Sequence, residues 1–202
     1  MITSAHIQQA LMRFLRQPYT WVLPNIFVGD YERDVCMVNQ QSGYWNEYEI
    51  KISVADFKKD FTKRSKNINM GLWNREKKWE QLTSNKHDNF LKFAANQETK
   101  TPNRFLFVVP KNLIDRESVP PYAGLLYYDE ESKSISVVKS GKLLHKNKIE
   151  QSLKEYILDK AYDRYTYMLN EMKRTKVTNT KLNIELGYYY DYAESIQQAL
   201  AQ

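Results

Sequence analysis

The chain has 202 residues, enough for one domain with a sizeable core or one domain with a small appendage. Apolar residues make up 42% and charged residues 27%, which excludes the low-hydrophobicity class of disordered chains. The net charge is +6, and the single cysteine, Cys36, excludes an internal disulfide and a thiolate metal cluster. We expect a cytoplasmic protein without a membrane partner, since no apolar run approaches the roughly 20 residues of a membrane span.

The predicted elements of the first third are a helix followed by three strands. Ser4 is the expected cap of a helix that ends near Arg16, before Pro18. Strands are predicted at 21–28, 34–38 and 44–53, with a hairpin turn at 39–43, and a basic helix at 55–66. In the third strand, Tyr48 and Ile50 face one way while Glu47, Glu49 and Lys51 face the other.

The remaining elements continue this alternation of strands and helices. Strands are predicted at 104–109, 123–128 and 134–138, and helices at 87–95, 148–172 and 188–200. This order favours an α/β fold, with a central mixed β-sheet flanked by helices and with C-terminal helices. We expect a core over 1–150 with a basic insertion around 58–101, and a C-terminal helical extension over 151–202 packed on that core.

All the excess positive charge lies in one segment. Residues 58–92 hold ten Lys or Arg and four Asp or Glu, so their net charge equals that of the whole chain. Such a surface favours a polyanion, for which DNA is the leading candidate, although a solvated helix face is the alternative. The predicted DNA-binding residues are Lys58, Lys59, Lys63, Arg64, Lys66, Arg75, Lys77 and Lys78. Trp73 and Trp79 either pack in the core or stack on unpaired bases.

The chemistry-bearing pattern is Glu49-Ile50-Lys51. Glu-x-Lys occurs five times in the chain, but only this triplet lies on a strongly alternating strand, where residues two apart share a face. A hairpin centred on 41–42 pairs residues whose numbers sum to 83, which sets Asp34 opposite Glu49. Two opposed carboxylates repel each other unless a cation lies between them, and oxygen ligands suit Mg²⁺ or Mn²⁺. The alternative is a solvent-facing ladder of ion pairs among Glu47, Glu49 and Lys51.

Several short motifs extend this pattern along the chain. They are Pro24-Asn25-Ile26, Glu32-Arg33-Asp34-Val35, Glu47 to Ser53 and Asp56-Phe57, followed by Phe107 to Pro110 and Gly124 to Leu126. Together they resemble the PD-(D/E)XK nuclease superfamily, in particular the MmcB-type DNA-repair group and similar phage-encoded proteins. The likeness covers roughly residues 20 to 150 and is specific around 47 to 57.

This resemblance implies a restriction-endonuclease-like core and Mg²⁺- or Mn²⁺-dependent phosphodiester hydrolysis. By position, Asp34 and Glu49 would be metal ligands together with the backbone carbonyl of Ile50, and Lys51 the catalytic lysine. Many members add a glutamate from the first helix, where this chain has Gln8 and Gln9. Either Glu32 or Glu47 then takes that role, or the site holds one metal.

The expected function is a magnesium-dependent endodeoxyribonuclease in DNA repair, recombination or phage DNA processing. One alternative is a DNA-binding or protein-interaction domain that has the fold but weak or no catalysis, and another is an RNA-binding protein. No glycine-rich phosphate loop is present, so no nucleotide cofactor is expected. The C-terminal helices are the expected surface for a homo-oligomer or a protein partner. His6, His87 and His145 lack zinc-ligand spacing, and His87 is predicted to be a surface residue or a DNA contact.

Overall fold

The structure, a computed structural model, describes residues 2–28, 31–61, 87, 91, 94–96 and 101–174. The elements are α1 (Ser4–Leu15), β1 (Thr20–Val28), β2 (Tyr31–Asn39), β3 (Tyr44–Ile50), α2 (Val54–Asp60), β4 (Arg104–Pro110), β5 (Gly124–Asp129), β6 (Ser134–Lys139) and α3 (Gln151–Arg174). Six strands form one sheet in the order β1-β2-β3-β4-β5-β6. Neighbours β3, β4 and β5 are parallel and the other pairs are antiparallel. The predicted α/β class, a mixed sheet flanked by helices, is confirmed.

The predicted element boundaries differ from the observed ones mainly at the ends. Thr3, rather than Ser4, caps α1, because its side chain accepts a hydrogen bond from the His6 amide. Strand β3 ends at Ile50, and Ser53 caps α2 by accepting a hydrogen bond from the Asp56 amide. The predicted helix at 188–200 lies outside the described residues. No helix in the described ranges is long and apolar enough to cross a membrane.

Helix α1 covers one face of the sheet. Its apolar stripe packs on alternate residues of the strands and forms a single cluster with them. The strand members of this cluster include Val22, Val35, Tyr48, Ile50, Leu106 and Val108. Tyr48 and Ile50 therefore point toward α1, and Glu49 between them points to the opposite face, as the alternation predicts.

The opposite face carries α2 and α3 over two apolar clusters. Phe57 of α2 packs with Phe105 and Phe107 of β4, and α3 packs on β1 and β2. The buried stripe of α3 runs through Leu153, Ile157 and Ala161 in four-residue steps and then shifts, since Met168 is buried and Leu169 is exposed. An α-helix has 3.6 residues per turn, so a stripe of strict four-residue steps drifts round the helix.

A local inversion interrupts the alternation of β1 and β2. Leu23 and Ile26 belong to the same apolar cluster although they are three residues apart, and Asn25 between them has a φ of 53°. Ile26 pairs with Arg33, so Arg33 points to the face that carries α2 and α3. Arg33 thereby reaches Glu47 of β3, and Asp34 lies beside the Ile50 amide at the end of that strand.

Candidate metal centre and its buried ion pairs

The β2–β3 hairpin has the predicted register. Its backbone partners run from Asn39–Tyr44 to Val35–Tyr48, and their numbers sum to 83. The paired residues end at Val35 and Tyr48, and Asp34 and Glu49 are the next residues on the two strands. The Asp34 Oδ2 accepts a hydrogen bond from the Ile50 amide at 2.7 Å, so this carboxylate lies beside the segment that carries Glu49. The hairpin thus brings together Asp34 and the Glu49-Ile50-Lys51 triplet.

Lys51 is buried at the point where the chain leaves β3 for α2. Its side chain is 2% exposed, and its ammonium donates to Glu49 Oε1 at 2.7 Å and to Asp60 Oδ1 at 2.8 Å. Glu49 is 4% exposed and pairs with Phe107 of the parallel strand β4. Two of the three ammonium N–H groups therefore donate to carboxylates. The third N–H group is the one that would donate to a water or phosphate oxygen.

The pKa of Lys51 reflects two opposing effects. Burial lowers it, but the charges of Glu49 and Asp60 and the hydrogen bonds to them outweigh burial, so the pKa lies above its ordinary value. Lys51 is thus a permanent cation at neutral pH. This charge state suits a lysine that orients a water or a phosphate oxygen.

Asp60 extends the network away from β3. It is completely buried at the end of α2, and its second carboxylate oxygen lies 2.8 Å from His87 Nε2. The other ring nitrogen of His87 lies 2.7 Å from the hydroxyl of Tyr122. The prediction of His87 as a surface residue or a DNA contact is wrong, because its ring is 5% exposed and stacks on Phe61.

A second buried ion pair lies on the same face. The Arg33 Nη1 lies 2.8 Å from each carboxylate oxygen of Glu47 and donates a hydrogen bond to Oε1, while Nη2 donates to the Val28 carbonyl. Glu47 is completely buried and faces Cys36 across the hairpin. A carboxylate whose two oxygens both lie against a guanidinium is poorly placed to ligate a metal, so Arg33 disfavours Glu47 as the substitute for a helix glutamate.

The exposed ladder of ion pairs is contradicted by burial. Glu47, Glu49 and Lys51 are all less than 5% exposed, and Glu47 pairs with Arg33 rather than with Lys51. A charged face of this kind is not a solvated strand surface.

Gln8 of α1 reaches the same region from the other face of the sheet. Its side-chain amide donates to the Asn25 side chain at 3.1 Å and to the Asp34 carbonyl at 2.6 Å. Gln8 thus fixes the backbone where β1 and β2 invert. At the helix position where the resemblance leads one to expect a glutamate, this chain has a hydrogen-bond donor to the backbone of Asp34.

The remaining candidate residues divide between exposed and undescribed positions. Glu32 is exposed on β2, and Lys58 and Lys59 are exposed in the last turn of α2. The other predicted DNA-binding residues lie outside the described residues, as do Trp73 and Trp79. They are Lys63, Arg64, Lys66, Arg75, Lys77 and Lys78.

The end of β3 gathers acidic side chains around one lysine. Asp34, which is partly buried, lies beside the Ile50 amide, and the buried Glu49 and Asp60 share the Lys51 ammonium. Across the described ranges, no three His, Cys, Asp or Glu side chains converge as a metal-ligand group. The carboxylates of Asp34 and Glu49 with a main-chain carbonyl are a set that Mg²⁺ can use, since it commonly binds one or two carboxylates and fills its other positions with water or phosphate oxygens.

Sequence reasoning missed four residues of this network. They are Arg33, Asp60, His87 and Tyr122. One signal was present, because Asp60 lies on the apolar stripe of α2 with Phe57 and Phe61, where an acid indicates a buried charge. His87 gave no such signal, since its position at the start of the predicted helix at 87–95 does not indicate a buried contact.

Comparison with known proteins adds information on the fold. The chain is similar to a solved structure described as SPO1766 protein of unknown function from Silicibacter pomeroyi, with a TM-score of 0.53 and 15% identity. The match covers 89% of this chain and 97% of that one, so the fold extends over nearly the whole of both. No family model matches the sequence, and no curated protein matches it.

Proposed function

We propose that the chain is a metal-dependent DNA nuclease that hydrolyses phosphodiester bonds, in DNA repair, recombination or phage DNA processing. The observation that carries the proposal is the convergence of Asp34 with Glu49-Ile50-Lys51: the Asp34 carboxylate accepts from the Ile50 amide, and Glu49 contacts the Lys51 ammonium. Two carboxylates beside a lysine are oxygen ligands of the kind that suits a hard divalent cation. The MmcB-type resemblance supports the same site.

In this proposal Asp34, Glu49 and the Ile50 carbonyl hold Mg²⁺ or Mn²⁺. When bound, the metal supplies Lewis-acid chemistry, lowering the pKa of a water and neutralising charge on the phosphate. Lys51 orients the attacking water or a phosphate oxygen through its third N–H group, with its charge kept by Glu49 and Asp60. Lys58 and Lys59 contact the DNA backbone, together with the basic residues that follow them in the chain.

The second candidate is a DNA-binding or protein-interaction domain with this fold and weak or no catalysis. Two observations favour it: Lys51 bonds directly to Glu49, and Gln8 replaces a helix glutamate. The two candidates differ in one property, cleavage of DNA in the presence of metal.

A cleavage assay on single-stranded, duplex and branched DNA with Mg²⁺ and with Mn²⁺ separates these candidates. The wild-type protein is expected to cleave at least one substrate. Asp34→Asn is expected to lose at least about 100-fold in rate, because the metal supplies several kcal/mol of transition-state stabilisation. Its DNA affinity without metal is expected to hold or rise, since a negative charge facing the phosphates is removed.

The matched control is Glu131→Gln. Glu131 belongs to another Glu-x-Lys triplet, Glu131-Ser132-Lys133, which is exposed on the turn between β5 and β6. Its cleavage rate is expected to match that of the wild type. DNA binding without cleavage of any substrate by the wild type would support the non-catalytic candidate instead.

A further inference from the structure

Asp60 uses its two carboxylate oxygens in opposite directions. Oδ1 accepts from the Lys51 ammonium at 2.8 Å, and Oδ2 lies 2.8 Å from His87 Nε2. Since the side chain is completely buried, these two contacts fix its orientation within a region that excludes bulk water. Asp60 therefore joins Lys51 to a part of the chain that is remote in sequence.

His87, which binds Asp60, is itself fixed by contacts on both sides of its ring. His87 Nδ1 lies 2.7 Å from the Tyr122 hydroxyl, so each ring nitrogen has a partner. The imidazole stacks on Phe61 at a centroid distance of 4.6 Å and meets Phe105 edge-on at 5.5 Å. Aromatic neighbours lower the local dielectric constant, which strengthens the hydrogen bond from His87 to Asp60.

Glu49 has two competing tasks in the proposed nuclease. It accepts from Lys51 at 2.7 Å, and it is also a proposed metal ligand. Coordination by a divalent cation withdraws charge from the Glu49 carboxylate and weakens its hold on Lys51. Asp60 has no part in the proposed ligand set, so its bond to Lys51 is the one that survives metal binding.

We infer that Asp60, oriented by His87 and Tyr122, is a positioning residue that holds the Lys51 ammonium at the site when Glu49 turns to a metal. The role of Asp60 in the reaction rests on the proposed function. The structural content of the inference, that Asp60 and not Glu49 retains Lys51 in the presence of metal, is tested without any cleavage.

The first test observes the Lys51 ammonium by ¹⁵N NMR, where a buried and hydrogen-bonded group exchanges slowly enough to be seen. In the wild type its signal is expected to persist when Mg²⁺ is added. In Asp60→Asn it is expected to be present without Mg²⁺ and to disappear with it. Persistence of the signal in Asp60→Asn with saturating Mg²⁺ would overturn the inference, whether or not the wild type cleaves DNA.

The second test measures kinetics in a wild type that cleaves. Asp60→Asn is expected to lower kcat by about 10- to 100-fold, the usual range for a residue that orients a site group. KM and the dissociation constant for Mn²⁺ are expected to stay close to those of the wild type, since Asp60 touches neither substrate nor metal in this proposal. Glu49→Gln, by contrast, is expected to lose both cleavage and metal affinity. A kcat equal to that of the wild type in Asp60→Asn would contradict the inference.

If Asp60→Asn does not fold, Tyr122→Phe tests the positioning role of Asp60 instead. This change removes only the hydroxyl that orients His87, and Tyr122 is partly buried rather than fully enclosed. We expect kcat to fall by about 10-fold, the lower end of the same range, at unchanged KM. An unchanged kcat in this variant would refute the positioning role.

Discussion

Arg33 and Glu47 form a buried ion pair on the face of the sheet that carries α2 and α3. Removing one member of such a pair leaves the other as a poorly compensated charge, which typically costs about 3–5 kcal/mol. Replacing both by apolar residues of similar volume costs far less. We therefore expect the pair to fix how β2 is aligned with β3 more than it raises the free energy of unfolding.

A double-mutant cycle tests this account of Arg33 and Glu47. Glu47→Leu is expected to lower the free energy of unfolding by about 3–5 kcal/mol, and the further change Arg33→Met to restore most of that loss. Urea unfolding measures both values. Lys111→Met is the control, because Lys111 pairs with Asp129 at the surface, where solvent screens the two charges, and its free energy of unfolding is expected to match that of the wild type. Additive effects of the two buried changes would show that Arg33 and Glu47 do not interact.

Cys36 is predicted to be inert in the folded protein. Burial and, to a smaller extent, the charge of Glu47 raise the pKa of its thiol from 9.0 to about 12. A raised folded-state pKa contributes stability that is fully present below pH 9 and is lost as the pH rises through about 12. Iodoacetamide at pH 8 should therefore modify Cys36 at the rate of global unfolding, measured with increasing urea. Rapid modification without urea would contradict its burial.

Helix α2 links the proposed metal site to the proposed DNA surface. Ser53 caps it directly after the site strand, Phe57 anchors it to β4, and Asp60 binds Lys51 at its end. Lys58 and Lys59 occupy its exposed side in the same turn. The helix thus presents cations to solvent within one turn of the buried network.

The double variant Lys58→Gln and Lys59→Gln tests this surface. Its affinity for duplex DNA is expected to fall, and its salt dependence to flatten by about 0.9 log units for each DNA phosphate that the variant no longer neutralises. Filter binding over a range of salt concentrations measures both. Lys146→Gln is the control: Lys146 is exposed beside His145, which contacts Thr101 at the opposite end of β4. An equal slope in the double variant and the wild type would identify α2 as a solvated face only.

The strands and the register of the β2–β3 hairpin were readable from the sequence because they follow from local patterns. Alternation assigned the faces of β3, and the turn at 39–43 set the sum of 83; Gly43 in this turn has a φ of 71°. Pro24 did not end β1, since an edge strand tolerates a missing amide donor. The buried network was not readable, since His87 reaches Asp60 across 27 positions and no local pattern encodes such a contact.

Over the whole molecule, the site lies where the hairpin, the parallel strands and α2 meet. Asp34 arrives from β2, Glu49 and Lys51 from the end of β3, and Asp60 from α2. The amide of Lys51 also donates to the Val108 carbonyl of β4, which fixes the site to the sheet. We propose that Asp34 and Glu49 share a divalent cation at this junction.

Binding of Mn²⁺, followed by the EPR signal of the free ion, tests that claim most directly. The wild type is expected to bind at least one Mn²⁺, and Asp34→Asn and Glu49→Gln each to weaken that binding by about 10-fold or more, since each removes a charged ligand. Glu131→Gln, which changes an exposed acid on the β5–β6 turn, is expected to bind like the wild type. Mn²⁺ binding that is the same in the wild type, Asp34→Asn and Glu49→Gln would contradict the claim.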